Sequence, residues 1–296
     1  MPWRRMAGKL KEIKANWQDY PLAKGQVWAE RYVVDSFLGM GSYGQAYTAV
    51  DKRNGQLVLL KRNKPSKGTA GISLLRREDA VMQAVEHPQI PRRIDYVHHG
   101  RGEALIMDYI PAPNLEFGIH ELGLSFTAAE ALALLKEVLQ PLKRLHEAGY
   151  VHRDVRIPNV LLHEGLPYLI DFGLACKIGE RLPDELRQAL GEDEWASSWS
   201  AMPESSGDRI KRRMREPQLS SDWFGLGHLY LFLMYAGYTP EEGREERSWD
   251  EELELPVEVI AFVRKLLGEG AGWTSTEQCE RELDSLLARL RGAGSL

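Results

Sequence analysis

The chain has 296 residues, 43% hydrophobic and 27% charged, which is enough to bury a full core in one large or two smaller domains. Its formal net charge of -5 argues against a general nucleic-acid binder, and its two cysteines, Cys176 and Cys279, lack motif spacing, which excludes a disulfide framework and suggests a reducing compartment. No apolar run approaches the roughly 18 residues of a membrane span, and the basic N-terminus lacks an apolar signal core, so the expectation is a soluble cytoplasmic protein.

Residues 1–30 read as an extension and linker. Trp3, Met6, Leu10, Ile13 and Trp17 recur at helical spacing, with Arg4, Arg5, Lys9 and Lys11 largely off that stripe. Two readings stand for residues 1–20. One is an amphipathic helix for an anionic membrane surface or a partner; the other is a helix that packs its tryptophans onto the domain behind it. Pro21 and Gly25 mark the linker.

From Arg31 the period is that of strands. Tyr32-Val33-Val34 and Phe37-Leu38 lead into Gly39-Met40-Gly41-Ser42-Tyr43-Gly44, followed by the apolar run Ala46 to Val50, a turn at Lys52-Arg53-Asn54-Gly55 and the run Leu57 to Lys61. A dinucleotide-binding GxGxxG must open a helix, whereas β-branched residues and an Asn-Gly turn predict a hairpin here. A glycine-rich hairpin lets backbone amides approach a phosphate with no side chains in the way. Residues 70–86 carry a helical apolar face of Leu74, Leu75, Val81, Met82 and Val85, with Glu78 nine residues before His87-Pro88. Leu105-Ile106-Met107 reads as a buried strand that runs into the proline-bearing segment Asp108 to Pro113. A long helix is predicted over Thr127–Ala148.

The stretch Tyr150–Gly173 carries the chemistry. His152-Arg153-Asp154 stands five residues before Asn159, and Asp171-Phe172-Gly173 begins twelve residues beyond that. Val160 to Leu162 and Tyr168 to Ile170 read as short strands joined at His163-Glu164-Gly165. An Asp and an Asn on a loop, with a second Asp after the next strand, suit magnesium and phosphate chemistry: one carboxylate accepts a hydroxyl proton while the other two groups hold metal. Farther on come Ala201-Met202-Pro203-Glu204, the basic run Arg209 to Arg215 (a solvated loop or helix, or a docking surface for acidic substrates), an apolar helix opened by Asp222, and two amphipathic helices in 255–290.

In this order and spacing, the glycine hairpin, Lys61, Glu78, the Asp154–Asn159 loop, Asp171-Phe172-Gly173, Ala201–Glu204 and Asp222 resemble the protein-kinase family over about residues 31–290. The resemblance implies an α+β, bilobal protein-kinase-like fold. It has a small β-rich N-lobe at about 31–107, a hinge at about 108–113, a larger, mostly helical C-lobe at about 114–290 and a tail at 291–296. It implies ATP and Mg2+ as cofactors and a protein substrate with a Ser/Thr acceptor.

By the same resemblance, Asp154 accepts the hydroxyl proton, Asn159 and Asp171 hold magnesium, and Lys61, steadied by Glu78, holds the α/β-phosphates. Arg156, where Ser/Thr kinases usually carry Lys, reaches the γ-phosphate. Leu38, Gly39, Gly41, Ser42, Gly44, Ala46, Leu59, Met107, Asp108, Ile110 and Leu161 complete the nucleotide site. Arg156 and Ser197 point to Ser/Thr specificity.

Departures exist too. Ala46 and Leu59 nearly exchange the sizes of the usual roof residues, and Glu204 has no clear arginine partner. The arginine beside the catalytic aspartate, Arg153, calls for an anion, which family spacing places near Asp193 in Glu192-Asp193-Glu194; an ordinary solvated acidic loop stays open as the other reading, and Ser198 and Ser200 remain phosphorylation candidates. A small-molecule phosphotransferase of kinase-like fold and a pseudokinase scaffold are the competing functions.

Overall fold

Period-two burial between Tyr32 and Asn63 favours strands, since alternate side chains of a strand point to opposite faces of a sheet. In the computed structural model, which describes residues 19–192, 206–238 and 247–292, these segments are β2 (Tyr32–Met40), β3 (Gly44–Asp51) and β4 (Leu57–Asn63). With β1 (Val27–Trp28), β5 (Arg93–His99) and β6 (Gly102–Asp108) they make one antiparallel sheet in the order β1-β2-β3-β4-β6-β5. The Asn54-Gly55 turn closes β3 to β4, with Gly55 at φ +72°, as a turn of this kind requires. Trp28, Tyr32, Val34, Tyr47, Ala49, Val58, Leu60, Ala104 and Ile106 form the core under the sheet. Each larger apolar side chain among them contributes roughly 1.5–3 kcal/mol on burial.

Helix α1 (Gly68–Ala84) follows β4 and turns Leu74, Leu75, Val81 and Met82 inward. Before the sheet, Asp19 to Leu22 lie along it. The buried Asp19 carboxylate accepts hydrogen bonds from Ser66 N and Oγ, Tyr20 O accepts from Arg62, and Leu22 N donates to Tyr47 OH.

The chain divides into two compact units. The sheet unit takes the described residues before Ala84, Pro91–Tyr109 and Pro183–Gly191; the second takes Ala84–Ile90, Ile110–Leu182 and the described residues from Glu192 onward. The second unit is mostly helical. After α2 (Leu115–His120), helix α3 (Ala128–Glu147) starts at a capping box in which Thr127 and Glu130 satisfy each other's backbone amides, and it buries Leu132, Leu135, Leu139, Leu142 and Leu145. Strand β7 (Tyr150–Val151) pairs with β10 (Cys176–Lys177). Between them β8 (Val160–His163) and β9 (Leu166–Leu169) form a hairpin, turned at Glu164-Gly165 with both φ positive. Helix α4 (Asp184–Ala189) belongs to the sheet unit. Then come α5 (Ser206–Met214), α6 (Leu219–Tyr235), α7 (Trp249–Glu252), α8 (Val257–Leu266) and α9 (Thr276–Gly292). Helices α6 and α9 pack on α3, and α5 and α8 pack on α6.

The basic run is helical as far as Met214. Arg209, Lys211 and Arg213 are exposed, while Ile210, Arg212 and Met214 are half-buried where the helix rests on the unit. The stripe Trp3–Trp17, Asp193, Ser197, Ser198, Ser200 and Ala201–Glu204 lie outside the described residues. Among the described residues no helix is long and apolar enough to cross a membrane.

Candidate active site

In the sheet unit the site is built by register. Ala46 faces Lys61 across β3 and β4, and Leu59 faces Met107 across β4 and β6. Partners directly opposite, and residues two apart, share a face, so Ala46, Leu59, Lys61 and Met107 stand on one side of the sheet. Lys61 Nζ lies 2.8 Å from Glu78 Oε1 and 2.7 Å from Oε2. Glu78 is almost fully buried on α1, where the lysine ammonium offsets part of the cost of burying a carboxylate. The glycine hairpin closes through Gly41 N donating to Gly44 O at 2.9 Å. A Cβ on Gly44 would sit a tight 3.2 Å from Arg62 O and in ordinary contact, 3.5 Å, with Lys61 Cε, so a side chain there would press on the β4 backbone. Gly39 has open space around its missing Cβ, leaving its backbone approachable, and Leu38 is exposed. Tyr43, beside Ser42 at the tip, donates its hydroxyl to Ala189 O at 2.6 Å. Asp108 N is committed to Arg92 O at 2.9 Å, so Asp108 offers a partner its carbonyl rather than its amide.

In the second unit one buried carboxylate sets the loop. Asp222, on α6 and fully buried, accepts from His152 N at 2.7 Å and Arg153 N at 2.8 Å. His146 Nε2 lies 2.8 Å from the same carboxylate, and its Nδ1 lies 2.6 Å from Thr276 Oγ1. Burial works to raise the Asp222 carboxyl. Hydrogen bonds from His146 and the loop amides outweigh it and hold the group below the usual carboxylate range. Arg153 takes a positive φ of 66°, a strained conformation for a side chain of its size. That strain persists because two amides are clamped on Asp222.

The turn beyond it presents Asp154. Asn159 Nδ2 donates to Asp154 Oδ2 at 2.7 Å and to its carbonyl at 2.9 Å, and Arg156 Nε lies 3.0 Å from Oδ1. Both Asp154 groups are acceptors, so the NH2 of Asn159 must face them and its Oδ1 is left for another partner. Ile170 N donates to Asn159 O at 3.0 Å, which ties the residue before Asp171 (φ +65°) to the Asn159 backbone. His152 accepts from Asp154 N on Nδ1 and faces Ile170 O with Nε2, two contacts met by one tautomer, while its ring packs edge-on against Phe172. Leu161 lies on β8, opposite Tyr168.

The Arg153 side chain is 3% exposed and spends its donors on three segments: Arg215 O at 2.6 Å, Leu174 O at 3.2 Å and Glu192 Oε1 at 2.7 Å. Among the described residues, Glu192 of the acidic run Glu192-Asp193-Glu194 thus supplies an anion to Arg153.

The structure brings Ala46, Leu59, Lys61, Glu78, Met107 and the glycines together in one unit, and Asp154, Arg156, Asn159, Asp171 and Leu161 in the other, where Ile110 also falls. His146 and Thr276 escape a reading by motif. Their one signal is a histidine on the buried stripe of α3 beside Leu142 and Leu145. Among the described residues no cluster of three or more His, Cys, Asp or Glu side chains could hold a metal alone. Asn159 Oδ1 and the Asp171 carboxylate could supply two oxygens, a number that suits an ion that keeps waters and takes further oxygens from phosphates, as Mg2+ does.

The protein kinase domain family matches residues 32–291, and the chain belongs to that family. It is similar to the probable serine/threonine-protein kinase YbdM of Bacillus subtilis (strain 168), 29% identical over 278 residues, 93% of this chain and 96% of that one. It is also 29% identical to serine/threonine-protein kinase C of Synechocystis sp., over 71% of this chain and 40% of that longer protein. Among solved structures, the crystal structure of a mutant of the Mycobacterium tuberculosis PknI kinase domain matches with a TM-score of 0.63 at 19% identity, over 90% of this chain and 99% of that one. That likeness establishes the α+β kinase fold.

Proposed function

We propose that the protein is an ATP-dependent kinase that transfers the γ-phosphoryl group of ATP to Ser/Thr hydroxyls of protein substrates. The observation that carries this reading is the Asp154 carboxylate, held between Asn159 and Arg156 on a loop clamped by Asp222. Members of the family generally use ATP and Mg2+. Mg2+, when bound through Asn159 and Asp171, neutralises phosphate charge.

The chain's own groups do the rest. One Asp154 oxygen orients the acceptor hydroxyl and takes its proton as the hydroxyl oxygen bonds to the γ-phosphorus, while the bond from that phosphorus to the β–γ bridging oxygen breaks and ADP leaves. Lys61, kept in place by Glu78, holds the α/β-phosphates, and the glycine hairpin from Gly39 to Gly44 offers backbone amides to the phosphates with Ser42 at its tip. Leu38, Ala46, Leu59, Met107 and Leu161 give the adenine an apolar setting. The Asp108 carbonyl and Ile110 offer it backbone hydrogen bonds. Arg156, whose guanidinium touches the base, stands where Ser/Thr kinases carry a basic residue, which supports a Ser/Thr acceptor. The test is transfer from γ-labelled ATP, with Mg2+, to a protein carrying Ser and Thr, beside an Asp154→Asn control. Phosphoserine and phosphothreonine in the wild-type reaction alone are the expected result. Label appearing only in a small metabolite, or equally in the control, would overturn it.

A further inference from the structure

Helix α5 is basic along its length, with Arg209, Lys211, Arg212 and Arg213 inside nine residues, on a chain whose formal charge is -5. Arg209, Lys211 and Arg213 are exposed, and among the described residues none of these three has a carboxylate partner. Arg213 is nevertheless held. Its Cζ lies 4.6 Å from the centroid of the Phe224 ring on α6, and its guanidinium crosses Gly268, occupying the space that a Cβ there would need. Phe224 and Gly268 hold the charged group in place while the residue stays exposed, so its charge remains available to an anion. Fixing so long a side chain costs rotamer entropy in advance, which lowers the cost of binding a ligand there.

Arg209 stands four residues earlier, on the same side of the helix and about 6 Å away by helical spacing. In an extended peptide, alternate residues rise about 6.6–6.8 Å and share a face, so acidic side chains at every second position meet the two arginines in turn. The end of α5 is tied to the catalytic loop, since Arg215 O accepts from Arg153 Nε at 2.6 Å and Arg153 adjoins Asp154. A segment lying on α5 therefore leads toward the proposed site of transfer.

We infer that Arg209 and Arg213 form a docking surface for an acidic stretch of a protein substrate, with carboxylates at alternate positions flanking the acceptor. This rests on the protein-kinase reading. The net acidity of the chain favours a short acidic segment over a long polyanion, which would be repelled beyond the patch.

The test uses the full chain and two peptides with one acceptor Ser, identical except for Glu or Gln at alternate flanking positions. The wild type should prefer the Glu peptide by about 10–100-fold in kcat/KM, mainly through KM, with the preference shrinking as NaCl rises. R209A/R213A should lose that preference and keep its rate on the Gln peptide. If loss of the Phe224 contact unfolds the double variant, R209A leaves Arg213 in place and should still lower the preference. A preference absent from the wild type, or unchanged in the variants, overturns the proposal, as does displacement of the Glu peptide by RNA or anionic vesicles at lower charge concentration than free peptide. If no peptide is phosphorylated, the kinase reading fails on its own. Fluorescence anisotropy of the labelled Glu peptide, wild type against variant, then still decides whether the surface binds acid.

Discussion

Arg153 and Glu192 form an ion pair at 2.7 Å, with side-chain exposures of only 3% and 12%, 39 residues apart in the chain. The arginine precedes the catalytic-loop aspartate, and the glutamate sits in the segment where kinases commonly gain a phosphate. A carboxylate brings less charge than a phosphate but accepts the same guanidinium bond. Phosphatase-treated wild type should therefore keep most of its activity. Glu192→Gln keeps an acceptor but leaves a buried guanidinium without its counter-charge, and activity should fall about tenfold with about 1–3 kcal/mol of stability. Activity lost to phosphatase and untouched in Glu192→Gln would place the switch on a phosphorylated residue instead.

Lys61, Asp154 and Asp171 are expected to act in the transition state rather than in the fold. Lys61→Ala, Asp154→Asn and Asp171→Asn should each lower kcat by about 100–1,000-fold while leaving the circular dichroism spectrum unchanged. Glu78→Gln should lower it less, since the lysine survives but is no longer steadied by a charged partner. A near-normal rate in Asp171→Asn would remove Asp171 from the metal set.

Asp222 gives the stability an acid limb. Its carboxyl is held below its unfolded value of about 3.9, so the native state binds the proton less readily than the unfolded chain. Its contribution is fully present above that unfolded value and is lost as pH falls through the lower folded value. Asp222→Asn should remove part of this acid dependence and cost about 3–5 kcal/mol at neutral pH, since it leaves His146 and two loop amides facing a neutral group. Denaturant titrations of both proteins across the acid range up to neutral pH check it. Parallel stability curves would show that another carboxyl carries the acid limb.

Asp19 ties the segment before the sheet to the turn between β4 and α1, through Ser66 N at 2.9 Å and Ser66 Oγ at 2.5 Å. Asp19→Ala leaves those donors and the nearby Lys64 ammonium without their acceptor, which should cost about 1–3 kcal/mol. Urea unfolding of the full chain should show a lower midpoint with an unchanged slope. An unmoved midpoint would mean that water replaces the carboxylate without loss.

Much of the fold and of the candidate site is legible in the sequence, because periodicity and short spacing are local properties. The glycine hairpin, the Lys61 strand, the helix bearing Glu78 and the Asp154–Asp171 hairpin each declare themselves within about 25 residues, and their chemistry follows from residue types at fixed offsets. Arg153 pairs with Glu192 across 39 residues, and nothing in an acidic run specifies which carboxylate will meet a distant guanidinium. His146 with Asp222, His146 with Thr276 and Asp19 with Ser66 lie 76, 130 and 47 residues apart. The contact of Arg213 with Phe224 likewise joins two helices. Such contacts exist only once the chain has folded, since burial then forces each polar group to find whichever partner the packing leaves within reach.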